Sequence, residues 1–90
     1  MKKVIKSTQF KKDYKRYQNN KKKIIALMKT VCMLANDEPL PKEMCPHMLS
    51  GQYASYMECH IGADYLLVWC DKDANVLKLV RLGSHSEIFG

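Results

Sequence analysis

Residues 56–90 read YMECHIGADYLLVWCDKDANVLKLVRLGSHSEIFG, and three short runs within this stretch have the pattern of β-strands. The run 56–61 alternates, so that Tyr56, Glu58 and His60 would leave one face of a strand and the residues between them the other. Residues 64–70 are nearly all apolar or aromatic, as expected of a strand buried on both faces. An acid and a histidine are therefore predicted side by side on one face of a sheet.

The third run completes an antiparallel meander. Residues 71–75 have the composition of a turn, and residues 76–82 alternate again. This alternation predicts that Leu77, Leu79 and Arg81 share one face of the last strand.

The N-terminal half predicts a short strand and two helices. Residues 2–6 read as a strand that can join the later sheet, and Ser7 or Thr8 is expected to cap a helix that ends near residues 19–20. A second helix is predicted over residues 21–35, with a wide apolar face. The apolar stripe of the first helix is expected to pack in the core, rather than to stack on RNA bases, and consists of Phe10, Tyr14 and Tyr17.

These elements predict an α+β fold in which two N-terminal helices pack on a four-stranded antiparallel sheet. Met57, Cys59 and Ile61 are expected to face the helices. The alternate residues of that strand, Tyr56, Glu58 and His60, would then lie on the opposite, open face, where we expect the active site.

Length and composition predict one globular domain over residues 1–90. The chain has 47% hydrophobic and 27% charged residues, which is the composition of a globular protein and not of a disordered one. Because it shows neither a signal peptide nor a run of 18 apolar residues, we expect a cytoplasmic protein. A zinc site drawn from Cys45, His47, Cys59 and His60 would match no standard spacing, so no cofactor is predicted.

Charge is distributed unevenly along the chain. Residues 1–30 hold eleven Lys/Arg and one acid, whereas residues 31–90 hold four Lys/Arg and eight acids. Such a dense basic surface attracts phosphate backbones through counterion release, although a merely solvated helix surface is the alternative. The lysines predicted to bind RNA are Lys11, Lys15, Lys21, Lys22 and Lys23.

The residues also resemble a known family. The segment 60–68 has the form H-x-x-x-D-Y-L-L-V, and residues 80–89 read VRLGSHSEIF. With Leu40-Pro41, His47 and Leu49-x-Gly51, these segments resemble the YafQ branch of the RelE/ParE superfamily of bacterial toxins over essentially the whole length.

Two positions depart from the pattern of that family. Glu58 stands where the family usually has Asp, and Tyr65 stands where it usually has Trp. Glu58 is still an acid and Tyr65 is still aromatic, but each side chain differs in length or size from the usual one.

The resemblance implies a RelE-like fold and the toxin of a type II toxin–antitoxin system. Such toxins are ribosome-dependent mRNA interferases, so the implied substrate is mRNA in the ribosomal A site. A cognate antitoxin is also implied, whose disordered segment would fold over the basic surface and the cleft. Neither a membrane nor DNA is an expected partner of the chain alone, since operator DNA would be reached through the antitoxin.

RNA cleavage without a metal needs a base for the 2′-OH, a cation for the charged phosphorane and an acid for the leaving 5′-oxygen. Histidines suit these roles because both protonation states are available near neutral pH. We predict Arg81 as phosphate clamp and His85, aimed by a flexible turn after Gly83, as general acid. On the other side of the site we predict a base group of His60 and Asp64, in which Glu58 orients His60. The full set of candidate catalytic residues is His85, His60, Asp64, Arg81, Glu58 and His47.

Tyr65 and Phe89 are predicted to contact the substrate. Each of three candidates also has a purely structural alternative. Asp64 could serve just as the cap of a turn, Arg81 could pair with a strand carboxylate, and Phe89 could pack the C-terminus against the core. Two other function classes also stay open, a non-catalytic module that binds RNA or a partner, and a ribonuclease that needs no ribosome.

Overall fold

The computed structural model describes residues 1–73 and 75–90, with Lys72 described by its backbone alone. The strands in these ranges are β1 (Lys3–Lys6), β2 (His47–Met48), β3 (Met57–Gly62), β4 (Tyr65–Asp73) and β5 (Val76–Gly83). The helices are α1 (Thr8–Tyr17), α2 (Lys21–Ala35) and α3 (His85–Phe89). Two 3₁₀ turns, Lys42–Met44 and Gly51–Tyr53, flank β2. None of the described helices is long and apolar enough to cross a membrane.

The strands form one sheet in the order β1-β5-β4-β3-β2. β1 runs parallel to β5, and the other neighbours are antiparallel. The α+β fold and the meander of β3, β4 and β5 are confirmed. The predicted four-stranded antiparallel sheet is wrong in two respects for the described residues. β2 adds a fifth strand at the edge, and the parallel pairing of β1 with β5 makes the sheet mixed. Two residues are too few to show a periodic pattern, so the sequence alone does not reveal a strand at His47.

Side-chain caps start both long helices. Ser7, one of the two predicted caps, accepts a hydrogen bond from the Phe10 backbone N–H at 2.9 Å. Its hydroxyl also donates to the Val80 carbonyl at 2.7 Å, which fixes the start of α1 to β5. Asn20 caps α2 by accepting from the Lys23 N–H at 3.2 Å.

The two faces of the sheet carry different clusters of buried side chains. Met57, Cys59 and Ile61 pack on the side of α1 and α2, as predicted. We call this side the helix face and the other side the outer face. The buried core of the helix face consists of Phe10, Leu27, Ala35, Cys59, Tyr65, Leu67, Trp69, Leu77, Leu79 and Leu82. The smaller buried cluster of the outer face consists of Leu66, Val68, Val80 and Ile88.

A β-bulge changes the face of Arg81. The pairing of β4 with β5 passes from Trp69↔Leu79 to Val68↔Arg81, so that Val80 is the extra residue. The prediction that Arg81 shares a face with Leu79 is therefore wrong, since its partner Val68 belongs to the outer cluster. Strict alternation in a sequence cannot reveal where a strand contains an extra residue.

The C-terminus is helical, and the predicted flexible turn after Gly83 is wrong. Ser84 and Glu87 form a capping box, in which the Ser84 hydroxyl accepts from the Glu87 N–H at 3.1 Å and Glu87 Oε1 accepts from the Ser84 N–H at 2.8 Å. The turn predicted over 71–75 is also too long, because β4 continues to Asp73. Its member Ala74 lies outside the described residues.

Candidate active site

One row of paired residues crosses the outer face from β2 to β5. His47 pairs with Glu58, Glu58 with Val68, and Val68 with Arg81. Directly paired residues of neighbouring strands point to the same face. Neighbouring strands lie about 4.8 Å apart, so the backbones of Glu58 and Arg81 are roughly 10 Å apart.

A second row brings further candidates to one end of the sheet. His60 pairs with Leu66 and Leu66 with Gly83, which places the half-buried His60 near the point where β5 enters α3. In the β3–β4 turn, Asp64 Oδ1 accepts a hydrogen bond from the backbone N–H of His85 at 3.2 Å. Asp64 was predicted to act with His60 and apart from His85, but its hydrogen bond joins it to His85 and α3.

Glu58 is paired with His47, and the predicted contact of Glu58 with His60 is wrong. His47 Nε2 lies 3.2 Å from Glu58 Oε1. His47 Nδ1 lies 2.7 Å from the Cys45 carbonyl oxygen, which can only accept, so this nitrogen carries a hydrogen. Glu58 is only 4% exposed, and its Oε2 atom has no hydrogen-bond partner among the described residues. An acid and a histidine are thus joined on the outer face, across two strands instead of along one.

All five N–H groups of Arg81 contact protein acceptors. Nε donates to Asp13 Oδ2 at 2.8 Å, and Nη2 reaches Asp13 Oδ1 at 3.4 Å and the Glu87 carbonyl at 3.3 Å. Nη1 donates to the Tyr53 hydroxyl at 3.1 Å and reaches the Ile88 carbonyl at 3.5 Å. Arg81 therefore joins α1, the Gly51–Tyr53 turn and α3. The acid that it pairs with belongs to a helix, whereas the structural alternative from the sequence was a strand carboxylate.

Asp13 is the functional candidate that the sequence reasoning missed. Its side chain is fully buried and also accepts from the Leu82 N–H at 3.0 Å and from Gln9 at 3.1 Å. Burial alone would raise the pKa of Asp13, but the hydrogen bonds from Arg81, Leu82 and Gln9 together hold the pKa below its ordinary value. The available signal was that Asp13 is the only acid within the basic residues 1–30.

Glu87 ties α3 to α1. Its carboxylate accepts from the Tyr17 hydroxyl and forms an ion pair with Arg16 at 3.0 Å. The pKa of Glu87 is lowered to about 2, first by the hydrogen bond from the Ser84 backbone and then by the one from Tyr17. Burial and this contact with Glu87 raise the pKa of Tyr17 to about 12.

Tyr65 lies in the helix-face core and is only 3% exposed. The centroid of the Tyr65 ring is 4.8 Å from that of the Tyr17 ring, and the Lys23 ammonium lies 5.1 Å from the centroid of the Tyr65 ring. Burial raises the pKa of Tyr65 above its ordinary value. The predicted contact of Tyr65 with a substrate does not fit this burial, and the ring is a packing element.

Phe89 presents an aromatic edge beside His85. It is 37% exposed, and its ring centroid is 4.9 Å from the imidazole of His85 and 5.6 Å from the ring of Tyr53. Both sequence-based alternatives are compatible with this position, since the ring packs on Tyr53 and also keeps an open side next to the exposed His85.

The basic helices adjoin the end of the sheet that carries Asp64. Lys22 and Lys23 line a shallow groove together with residues 61–65 of the β3–β4 turn. The lysines with exposed side chains on α1 and α2 include Lys11, Lys15, Lys21 and Lys22.

The four residues considered for zinc are not brought together. Cys59 is buried in the helix-face core, whereas His47 and His60 lie in the two rows on the outer face. Across residues 1–73 and 75–90, no group of three His, Cys, Asp or Glu residues has the arrangement of a metal site.

Comparison with known proteins matches this arrangement to a family. The sequence model described as "Bacterial toxin of type II toxin-antitoxin system, YafQ" matches residues 2–90. The mRNA interferase toxin YafQ of Escherichia coli K12 is 32% identical over 85 residues, which cover 93% of this chain and 91% of that protein. Two solved structures are similar over at least 99% of this chain and all of theirs: a metal-bound toxin from Helicobacter pylori (TM-score 0.88, 41% identity) and the E. coli DinJ–YafQ complex (TM-score 0.86, 28% identity). The chain therefore belongs to the YafQ family of toxins from bacterial type II toxin–antitoxin systems.

Proposed function

We propose that this protein is an endoribonuclease that cleaves mRNA on the ribosome, in the cytoplasm, by acid–base catalysis that needs no metal. The observation that carries the proposal is the outer face of the sheet, where two strand rows and α3 gather His47, Glu58, His60 and His85. The activity named for the E. coli relative, an mRNA interferase, supports the same reaction.

The exposed imidazole of His85 serves as the general acid that protonates the leaving 5′-oxygen. His60, one strand row away at the same end of the sheet, takes the proton of the attacking 2′-OH. Glu58 holds His47, since its carboxylate contacts Nε2 while the Cys45 carbonyl fixes the opposite nitrogen. His47 is then the second imidazole available for proton transfer.

Arg81 acts as phosphate clamp only after a local exchange of partners. Its bonds to Asp13 hold the guanidinium in place, whereas its contacts with the Glu87 and Ile88 carbonyls are long, at 3.3 and 3.5 Å. A phosphate oxygen is a stronger acceptor than a carbonyl and would replace these two contacts. Arg81 would thereby keep its position while it binds the scissile phosphate.

The basic surface of α1 and α2 supplies affinity for ribosomal RNA through its lysines. A cognate antitoxin is the protein partner, by analogy with the relative that was crystallised as the DinJ–YafQ complex.

The roles of His85 and His60 are tested with a substrate whose leaving group needs no proton. We expect His85→Ala and His60→Ala each to lower the cleavage rate by about 10²–10⁴-fold. RNA with a 5′-thio leaving group should restore cleavage by His85→Ala and leave His60→Ala slow. Equal rescue of both variants would overturn the assignment.

Ribosome and metal requirements are tested in parallel reactions of the wild-type protein. Cleavage is expected with translating ribosomes in the presence of EDTA and not with the same mRNA free in solution. Cleavage of free RNA would identify a ribosome-independent nuclease, and loss of activity in EDTA would contradict the metal-free mechanism. Ribosome binding without any cleavage would identify a non-catalytic binding module.

A further inference from the structure

Tyr53 lies between the proposed phosphate clamp and the proposed general acid, although the sequence analysis assigned it no role. It is half-buried, ends the Gly51–Tyr53 turn and packs against the buried cluster of the outer face. Its hydroxyl accepts a hydrogen bond from Arg81 Nη1 at 3.1 Å. Its ring meets the ring of Phe89 edge-on, with the two centroids 5.6 Å apart and the two planes at 83°. One side chain therefore contacts β5 through its hydroxyl and α3 through its ring.

The ring contact of Tyr53 extends through Phe89 to the imidazole of His85. His85 and Phe89 are the first and last residues of α3 and stand four positions apart, so their side chains lie on one side of the helix. Their ring centroids are 4.9 Å apart. A helix of five residues is too short to be rigid by itself, so the direction of the exposed His85 depends on such contacts. Because Tyr53 packs on Phe89, it limits the rotamers of Phe89 and, through that ring, those of His85.

The hydroxyl contact of Tyr53 holds one end of the Arg81 guanidinium. Asp13 accepts from Nε and Nη2 along one edge, and Tyr53 accepts from Nη1 on the other side. The carbonyl contacts that an incoming phosphate would replace are those of Glu87 and Ile88. The bonds to Asp13 and Tyr53 are then the ones that keep the guanidinium oriented while it binds the phosphate.

We propose that Tyr53 is a positioning residue for RNA cleavage, whose hydroxyl orients Arg81 and whose ring orients His85 through Phe89. It thereby keeps the group that stabilises the phosphorane in register with the group that protonates the leaving oxygen. The inference rests on the roles of Arg81 and His85 in the proposed function. The role requires no contact between Tyr53 and the reacting atoms, since its effect passes through these two residues.

Two substitutions at one position separate the two contacts. Tyr53→Phe removes the hydroxyl and keeps the ring, whereas Tyr53→Leu removes both. Tyr56→Phe is the matched control for the loss of a hydroxyl, because Tyr56 is also half-buried and its ring centroid lies 6.1 Å from that of Tyr53. The phenol that Arg81 contacts belongs to Tyr53 and not to Tyr56. Thermal unfolding verifies that the variants are folded, and Tyr53→Met replaces Tyr53→Leu if that variant is not.

The rates are measured in single turnovers on ribosome-bound mRNA, with the ordinary and with the 5′-thio leaving group. Tyr53→Phe should be about 3–10-fold slower than the wild type on both RNAs, since the clamp acts with either leaving group. Tyr53→Leu should be about 10²-fold slower on the ordinary RNA, because the acid is misplaced as well. On the 5′-thio RNA its defect should shrink to that of Tyr53→Phe, whereas general structural damage would slow both RNAs equally. Tyr56→Phe should stay within about twofold of the wild type on both.

The orientation of His85 has a second readout that needs no RNA. In NMR spectra of the free protein, NOEs between the rings of His85 and Phe89 should be kept in Tyr53→Phe and lost in Tyr53→Leu. An equal defect of Tyr53→Leu on the two RNAs, NOEs that persist in Tyr53→Leu, or equal rates of Tyr53→Phe and Tyr56→Phe would overturn the positioning role. If the wild type does not cleave, or the 5′-thio RNA does not rescue His85→Ala, the proposed function fails instead, and the NOEs still decide whether Tyr53 orients His85.

Discussion

The helix face and the outer face of the sheet are formed by the same strands, yet they hold different kinds of residues. Among the residues that the structure describes, ten hydrophobic side chains are buried between the helix face and the two helices α1 and α2. The outer face buries four hydrophobic side chains of the described ranges, and it also contains Glu58, Arg81 and the histidines of the two rows. Hydrophobic burial scales with the area removed from water, so the helix face supplies most of the stability.

The comparison teaches how a small sheet can tolerate charged groups. Every N–H group of Arg81 has an acceptor, because the side chain reaches α1, the Gly51–Tyr53 turn and α3. Asp13 accepts hydrogen bonds from four donor groups, two of Arg81, one of Leu82 and one of Gln9. Glu58 is different, because one of its buried oxygens has no partner among the described residues. Unsatisfied buried polar atoms cost free energy and concentrate at functional sites. The outer face thus combines a satisfied ion pair with a buried acid, Glu58, that has one unpartnered oxygen.

Removal of Asp13 should have the largest effect on stability. Asp13→Ala is expected to lower the free energy of unfolding by about 3–5 kcal/mol, because the mostly buried guanidinium of Arg81 loses its counter-ion. Urea unfolding measures this loss. The pair of Lys2 with the exposed Asp37 is the control. Asp37→Asn suits the left-handed backbone at this position (φ 57°) and should leave the midpoint nearly unchanged. A similar, small effect of both changes would show that the Asp13–Arg81 pair does not hold the outer face.

Glu58→Gln should separate activity from stability on the outer face. The neutral amide is less costly to bury than a carboxylate with an unpaired oxygen, so the variant is expected to be at least as stable as the wild type. Cleavage on ribosomes should fall by about 10²-fold, because His47 loses the carboxylate that holds it. A variant that is both active and more stable would mean that Glu58 has no part in catalysis.

Cys59→Ala tests the opposite face at the neighbouring position. Cys59 is fully buried in the helix-face core, so its truncation should cost about 1–2 kcal/mol through lost burial and a small cavity. The rate of mRNA cleavage should stay the same when it is measured well below the unfolding temperature. A folded but inactive Cys59→Ala protein would contradict the division of roles between the two faces.

Glu87→Gln should have the smallest effect, and one that depends on pH. The pKa of Glu87 is about 2 in the folded protein against an ordinary value of 4.5, so its contribution to stability is complete above about pH 4.5 and disappears as the pH falls through 2. We expect the variant to unfold roughly 2–8 °C below the wild type at pH 7, because a partly exposed ion pair is worth about 0.5–1 kcal/mol. Near pH 2 the two melting temperatures should converge. A constant difference across this range would rule out the carboxylate as its cause.

The sequence by itself determined the elements with a local signal. Both long helices, the Ser7 cap, the meander and the helix-facing side of Met57, Cys59 and Ile61 follow from periodicity and capping patterns within a few residues of chain. The motifs around His60 and residues 80–89 were also enough to indicate the family, which the comparisons confirm.

Only the tertiary structure decided which candidate side chains meet. The bulge at Val80, the pairing of His47 with Glu58 and the bond of Asp13 to Arg81, 68 positions away along the chain, depend on the register of strands and on how helices dock. No local pattern encodes such contacts, because one extra residue in a strand reverses the direction of every side chain after it. The residue types therefore indicated the chemistry of the outer face, and the packing of distant segments determined its geometry.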